Sequence, residues 1–359
     1  MSAGPSPWSE ARHVLGVRLD NMGDVLMSTP ALRALRAPGR RISLLTSSAG
    51  AALAPHLADV DDVLAYDASW VKREGASADG DRQAIERLRE LRPDAAVIFT
   101  VHSQSALPAA LMLRLAGVPR VLAYSRENPY QLLTDWVSEP EPHRVRRHEV
   151  LRQLTLVRTV GATTDDTRLG FLVREIDRVG LRRKLSRLGV AEQGGWIAAH
   201  GGASAPSRRY PAERLAGALE ALRGEGRRML LLGGADEGGL GEALAARRQR
   251  LPGLIDLTGQ LTLGELGAAI EGAAVLISNN SGPAHIAAAL GVPVVDLYAL
   301  TNPQHTPWQT PQRVLNREVP CRGCRRSVCP QGHHACLAGV EPREVADAAR
   351  ELLSARISR

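Results

Sequence analysis

Hydrophobic and polar positions along the chain fall into two patterns that alternate, and the alternation occurs twice. In the first half, strand-sized aliphatic or β-branched runs lie at 13–19, 42–46, 62–66 and 95–99. Apolar residues at helical spacing occupy 30–36, 82–91 and 106–116, the last ended by Gly117 and Pro119. Runs of this kind predict βαβ units and a parallel sheet. A basic helical stretch at 144–160 and a charged one at 174–188 follow, and the alternation then restarts. Its strands are expected at 196–199, 229–232, 254–257, 275–278 and 292–298, with helices at 211–223, 240–250, 263–272 and 283–290. The pattern therefore predicts two doubly wound α/β domains in tandem, joined between about 161 and 195. The tail at 341–357 reads as one more amphipathic helix, and 68–81 and 300–312 read as mobile segments.

Composition narrows the class. A chain of 359 residues suits two domains, and 44% hydrophobic residues suffice for real cores. No apolar run approaches the roughly 18 residues of a membrane span, and the first residues carry no apolar secretory core, so a cytoplasmic protein is expected. The formal charge of +7 would suit an anionic partner. The basic residues are nearly all Arg, with Lys only at 72 and 184, and they are scattered, which argues against nucleic acid.

In a doubly wound sheet ligands gather outside the carboxyl ends of the strands, and four loops there carry chemistry. The first, Arg18-Leu19-Asp20-Asn21-Met22-Gly23-Asp24, places a carboxylate in the first turn of a helix. Asp24 can accept a proton or merely cap that helix, and the G-x-G-x-x-G of a dinucleotide site is absent. The second, His200-Gly201-Gly202-Ala203-Ser204 with Arg208 and Arg209, offers backbone N–H groups and forked cations to an anion, or is an ordinary Gly-rich turn. The third places Asp236 where it can meet ribose hydroxyls or cap a helix. The fourth, Ser278-Asn279-Asn280-Ser281-Gly282-Pro283-Ala284-His285, ends a strand in small polar residues and opens a helix at Pro283. It has the general form of a diphosphate cradle.

Two runs carry a resemblance: Arg18 to Leu26 continuing through Pro30-Ala31-Leu32, and Ser281-Gly282-Pro283-Ala284-His285 continuing to Pro293. Together they closely resemble glycosyltransferase family 9, the heptosyltransferases of lipopolysaccharide core assembly. The resemblance implies the α/β GT-B fold, two tandem Rossmann-like domains whose parallel sheets face a central cleft. It places an acceptor-binding domain at 1–165, a linker at 166–194, a donor-binding domain at 195–340 and a final helix at 341–359 crossing back to the first domain.

The same likeness implies inverting, metal-independent transfer of a heptose-type sugar, ADP-heptose being the favoured donor, to a lipopolysaccharide-core or related saccharide. Asp24 matches the catalytic base. Arg18, Met22 and Gly23 lie beside it, and Arg126 and His148 are further candidates for the acceptor. Donor candidates are Ser204, Arg208 or Arg209 on phosphate, Asp236 at the ribose, and Asn280, Ser281, Gly282, Pro283 and His285 in the diphosphate loop. Many members carry Asp where this chain has Asn280, a departure that bears on the donor sugar. Contact with the inner membrane at its cytoplasmic face suits such an acceptor. A nucleotide-sugar epimerase on the same architecture is the second reading. A basic, Cys-knotted partner- or nucleic-acid-binding protein is the third.

All four cysteines, Cys321, Cys324, Cys329 and Cys336, fall in one segment with His333 and His334. The set is rich enough in soft ligands for a structural zinc and equally compatible with free buried thiols.

Overall fold

The computed structural model describes residues 7–71, 77–191, 194–234, 251, 253–299 and 302–357, which fold as two compact units, Met1–Leu172 and Val173–Arg359. The expected helix at 240–250 and the candidate Asp236 lie outside the described residues.

In the first unit, strands β1 (His13–Arg18), β2 (Arg41–Thr46), β3 (Asp62–Ala65), β4 (Ala95–Ile98), β5 (Val121–Ser125) and β6 (Asp135–Ser138) form one sheet in the order β3-β2-β1-β4-β5-β6. Every pairing is parallel. Helices α1 (Met22–Leu35), α2 (Ser48–Ala51), α3 (Ala78–Leu91), α4 (Leu107–Leu115) and α5 (Glu149–Arg158) complete it. α3 and α4 cover one face through Ala84, Leu88, Ala109 and Leu113, and α1 packs with α5.

α1 begins where the loop reading puts it, with Asp24 in its first turn, and well before the 30–36 stretch marked by apolar spacing. Asn21 and Asp24 close a capping box at its N-terminus, and Pro30 lies inside it. Proline has no N–H for the Leu26 carbonyl one turn back. The Thr29 hydroxyl takes that role, donating to the Leu26 oxygen at 2.6 Å. The helix also lies close to the sheet: a Cβ on Gly16 would sit 2.5 Å from Leu32 Cδ2, so a larger residue on β1 would force the buried Leu32 side chain to shift.

The second unit opens with α6 (Glu175–Arg187), in the stretch expected to be linker. It packs on α8 (Leu263–Glu271), with the Arg178 guanidinium forked onto Glu271 at 2.7 Å. Strands β7 (Trp196–His200), β8 (Met229–Leu232), β9 (Leu254–Asp256), β10 (Ala273–Asn279), β11 (Val294–Leu297) and β12 (Gln312–Leu315) again form a parallel sheet, in the order β12-β11-β10-β7-β8-β9. Counted from its own first strand, this is the strand order of the first unit. The remaining helices are α7 (Ala212–Ala221), α9 (Gly282–Ala289), α10 (Ala335–Ala338) and α11 (Pro342–Ile357). α11 packs on α7 and on β10, β11 and β12, burying Val345, Ala349 and Leu352 in their shared core.

Three strands escape the hydrophobic pattern: β5, β6 and β12. β6 and β12 are sheet edges with no buried residue, so they lack the apolar run by which a strand is read. Among the described residues no helix is long and apolar enough to cross a membrane.

Candidate functional site

In both sheets the chain leaves the two central strands in opposite directions, which opens a crevice at their carboxyl ends. In the first unit those strands are β1 and β4, in the second β7 and β10. Three of the four informative loops sit at these ends.

β1 ends in Arg18, which has no exposed surface. Its guanidinium is ringed by three carboxylates, each at 3.1 Å: Nε on Asp20 Oδ2, Nη2 on Asp24 Oδ1 and Nη1 on Glu149 Oε1. Burial opposes the charge on Arg18, but the three carboxylates more than offset that and raise its pKa further. Asp24 keeps some exposed surface, its side chain being 16% exposed. Its Oδ2 accepts from the Asn21 N–H at 3.2 Å. The capping reading and the reactive one are thus compatible: one oxygen caps α1 while the other is held by Arg18. Asp20 is shifted upward, mainly by burial and also by the neighbouring Asp24 and Glu149 carboxylates, against the lowering pull of Arg18. Gln104 donates to its Oδ1 at 2.7 Å. Beside this cluster Leu19, Asp20, Trp70, Phe99, Thr100 and Gln104 help line a cavity of about 290 Å³.

Behind the cluster stands a second buried layer that sequence reasoning misses. Glu149 also accepts from Gln153 at 3.0 Å and from Arg152 at 3.3 Å. Arg152 in turn pairs with Glu139, reaches the Thr100 carbonyl and stacks 4.7 Å from the Tyr124 ring centre. Of the expected acceptor residues, Arg18 is wholly engaged with carboxylates, so it positions them and has no surface for a ligand. Met22 and Gly23 form the first turn of α1 and are half-buried. Arg126 ties two loops together by donating to the His102 and Glu141 carbonyls. His148 caps α5, its Nδ1 accepting from the Val150 N–H at 3.2 Å.

In the second unit, Asn279 at the end of β10 knits the loops together. Its Nδ2 donates to the Gly201 carbonyl at 2.6 Å, and its Oδ1 accepts from the Tyr210 N–H at 2.9 Å. The Gly-rich turn after β7 and the arginine pair are thereby fixed beside the N-terminus of α9. Arg209 is tethered, Nε to the Ala203 carbonyl at 2.8 Å, whereas Arg208 makes no side-chain hydrogen bond or ion pair among the described residues. Ser204 is exposed.

α9 starts at Gly282 with Pro283 in its first turn, and no side chain caps it, since Ser281 Oγ donates to the Asn279 carbonyl at 3.1 Å. Its positive end is therefore available to an anion. His285 is buried within α9, 3% exposed. Asn280, just before the helix, donates from Nδ2 to His305 O at 2.8 Å and to Asp296 Oδ2 at 3.2 Å. Asp296 is a fully buried carboxyl that no sequence motif singles out.

The cysteines are brought together: all four, with His333 and His334, line one small cavity of about 20 Å³. The segment docks on the arginine loop, the Ser207 hydroxyl donating to the Arg326 carbonyl at 2.6 Å. None of the four is in a disulfide. Backbone N–H groups, first that of His334, hold the Cys329 thiol below its usual range. Among the described residues no three His, Cys, Asp or Glu side chains are arranged to hold a metal ion.

Comparison with known proteins accords with this geometry. A family model described as Glycosyltransferase family 9 (heptosyltransferase) matches residues 83–335. The chain is 26% identical over 345 residues to lipopolysaccharide heptosyltransferase 2 of Escherichia coli K12, covering 92% of this chain and 96% of that protein. Among solved structures, a glycosyl transferase family 9 protein of Veillonella parvula superposes with a TM-score of 0.79 at 23% identity, over 96% of this chain and 98% of that one. The E. coli ADP-heptose LPS heptosyltransferase II gives a TM-score of 0.74 at 23% identity, over 96% and 99%. The fold is thus the α/β GT-B type, built from two Rossmann-like units.

Proposed function

Given that the chain belongs to glycosyltransferase family 9 and is a glycosyltransferase, we propose that it transfers a heptose-type sugar from ADP-heptose to a saccharide of the lipopolysaccharide core, inverting the anomeric centre. The observation that carries the reading is Asp24. It is a partly exposed carboxylate at the switch point of the first sheet, held by a buried arginine that also pairs with Asp20 and Glu149. One Asp24 oxygen takes the proton of an acceptor hydroxyl as that hydroxyl attacks the anomeric carbon opposite the departing ADP. Arg18 keeps the carboxylate in place.

The second unit takes the donor. The N-terminus of α9 and Arg208 meet the diphosphate and stabilise the charge that develops on it as the glycosidic bond breaks. Arg208 is the better placed of the pair, because Arg209 is already committed to the Ala203 carbonyl. The names of two similar proteins, a lipopolysaccharide heptosyltransferase and an ADP-heptose LPS heptosyltransferase, support this choice of donor and acceptor. The reaction is assigned to the cytoplasmic side, where the protein would meet a lipid-linked acceptor at the inner membrane.

Incubation with ADP-heptose and a deacylated core acceptor tests the reading. It predicts stoichiometric ADP release, a heptosylated product and, by proton NMR, an inverted anomeric linkage, all surviving EDTA. An altered sugar nucleotide formed without acceptor would instead make the protein an epimerase.

A further inference from the structure

Asp296 is out of place as a core residue. It lies on β11 in register with Ser278 of β10 and Val314 of β12, has no exposed surface, and its strand neighbours Val294, Val295 and Leu297 are buried and apolar. Packing asks for an apolar side chain here. Oδ2 accepts from Asn280 Nδ2 at 3.2 Å, while Oδ1 has no partner among the described residues. A carboxylate buried without a cation is strongly disfavoured, so the group keeps its proton: burial pushes its pKa up to about 8, against a small lowering by the Asn280 hydrogen bond. The titratable side chains of the elements beside it are His285 of α9, His305, Arg313 of β12, which lies opposite Val295 and so on the other pleat, and the charged residues of α11. α11 covers the opposite pleat, that of Val295 and Leu297.

Asn280 is what Asp296 touches, and Asn280 sits one residue before the Ser281 that leads into α9. The His305 carbonyl can only accept, so it fixes which end of the amide is nitrogen. With one Nδ2 hydrogen on His305 and the other on Asp296, the amide is pinned from two sides. Its Oδ1 makes no hydrogen bond among the described residues and is the end left to meet a ligand.

We propose that Asp296 is a positioning residue for donor recognition, acting through Asn280: the neutral carboxyl and the His305 carbonyl orient the amide so that its oxygen accepts a hydrogen bond from a hydroxyl of the donor's sugar. The inference rests on the donor assignment made above and deepens it. It predicts that Asp296 affects the sugar and leaves the nucleotide alone.

Calorimetric titration of the full chain with ADP and, separately, with ADP-heptose isolates that effect, because the ratio of the two affinities is the sugar's contribution. Asp296→Val removes the acceptor for the amide and is expected to reduce the ratio by about 3- to 10-fold, as loss of one hydrogen bond does, with ADP affinity unchanged. Asn280→Ala, at the ligand end, is expected to do the same. Asp296→Asn, neutral and still able to accept, keeps the ratio. The pH profile separates positioning from packing: an ionised carboxylate accepts from the amide more strongly than a neutral carboxyl, so the wild-type ratio rises above about pH 8 as Asp296 ionises, and that of Asp296→Asn stays flat. Should Asp296→Val fail to fold, Asn280→Ala and the pH contrast still decide.

An unchanged ratio in Asn280→Ala, or wild type and Asp296→Asn following one pH curve, would overturn the proposal while leaving the donor assignment standing. Wild-type protein that binds ADP no better than an unrelated nucleotide would overturn both.

Discussion

The two units share one strand order and place opposite chemistry at the same topological point. At the end of β1 the first unit gathers Asp20, Asp24 and Glu149 around one arginine. At the ends of β7 and β10 the second unit presents an uncapped helix N-terminus, Arg208 and backbone N–H groups. The lesson is that the scaffold supplies a crevice and the loops decide its sign. A carboxylate-rich crevice suits proton removal from a hydroxyl, and an electropositive one suits a diphosphate. Within one chain the pair matches the two halves of a glycosyl transfer.

The contrast is open to attack. The largest effect is expected in the first unit. Arg18→Met leaves three buried or half-buried carboxylates without their shared cation, and removing one partner of a buried ion pair costs about 3–5 kcal/mol. Thermal or urea denaturation should show that loss, and a stability within about 0.5 kcal/mol of wild type would mean that Arg18 is not the hub. Next comes the cation of the second unit. Arg208→Ala is expected to weaken ADP binding by about 10- to 100-fold, the worth of a charge-assisted hydrogen bond. Arg209→Ala should do less, and the reverse order would reassign the phosphate contact.

A pH-dependent effect sharpens the comparison, because it concerns a carboxyl on the electropositive side. Asp296 has a folded-state pKa of about 8, above its unfolded value of 3.8. Its neutral form therefore supports the fold at low pH, and that support drains away as pH rises from about 4 through 8. Asp296→Asn should flatten this part of the stability curve, whereas a wild-type melting temperature that rises over the same interval with Asp296→Asn following it would show the group ionised.

Much of the fold is legible in the sequence, for identifiable reasons. Most strands buried on both faces announce themselves as continuous apolar runs, which is how β1, β2, β4, β7, β8, β10 and β11 are found, although β5, buried along its whole length, is missed. The edges β6 and β12 bury nothing and leave no such trace. The apolar periodicity misses the first half of α1 for the opposite reason, although the Gly23-Asp24 turn marks its start. Val25 to Leu32 are buried without a break, so there is no polar face to mark a helical period, and Pro30 reads as a start when it is an interior residue.

The site divides in the same way. Arg18 and Asp24 are six positions apart in one loop and can be read together. Glu149 meets Arg18 across 131 positions, and nothing local in its sequence marks that meeting. Asn279 looks like an ordinary strand end, and Asp296 is a lone polar residue inside an apolar strand. Only the β10–β11 register, with Ser278 opposite Asp296, puts a buried carboxyl beside Asn280.

The account turns on Asp24 as the group that takes the acceptor's proton. Turnover of Asp24→Asn, measured at saturating ADP-heptose and acceptor alongside its ADP affinity, tests this most directly. The account predicts a fall in kcat of about 100- to 10,000-fold, the range of a general base, with ADP bound as tightly as by wild type. A variant that turns over within a few-fold of wild type would contradict it.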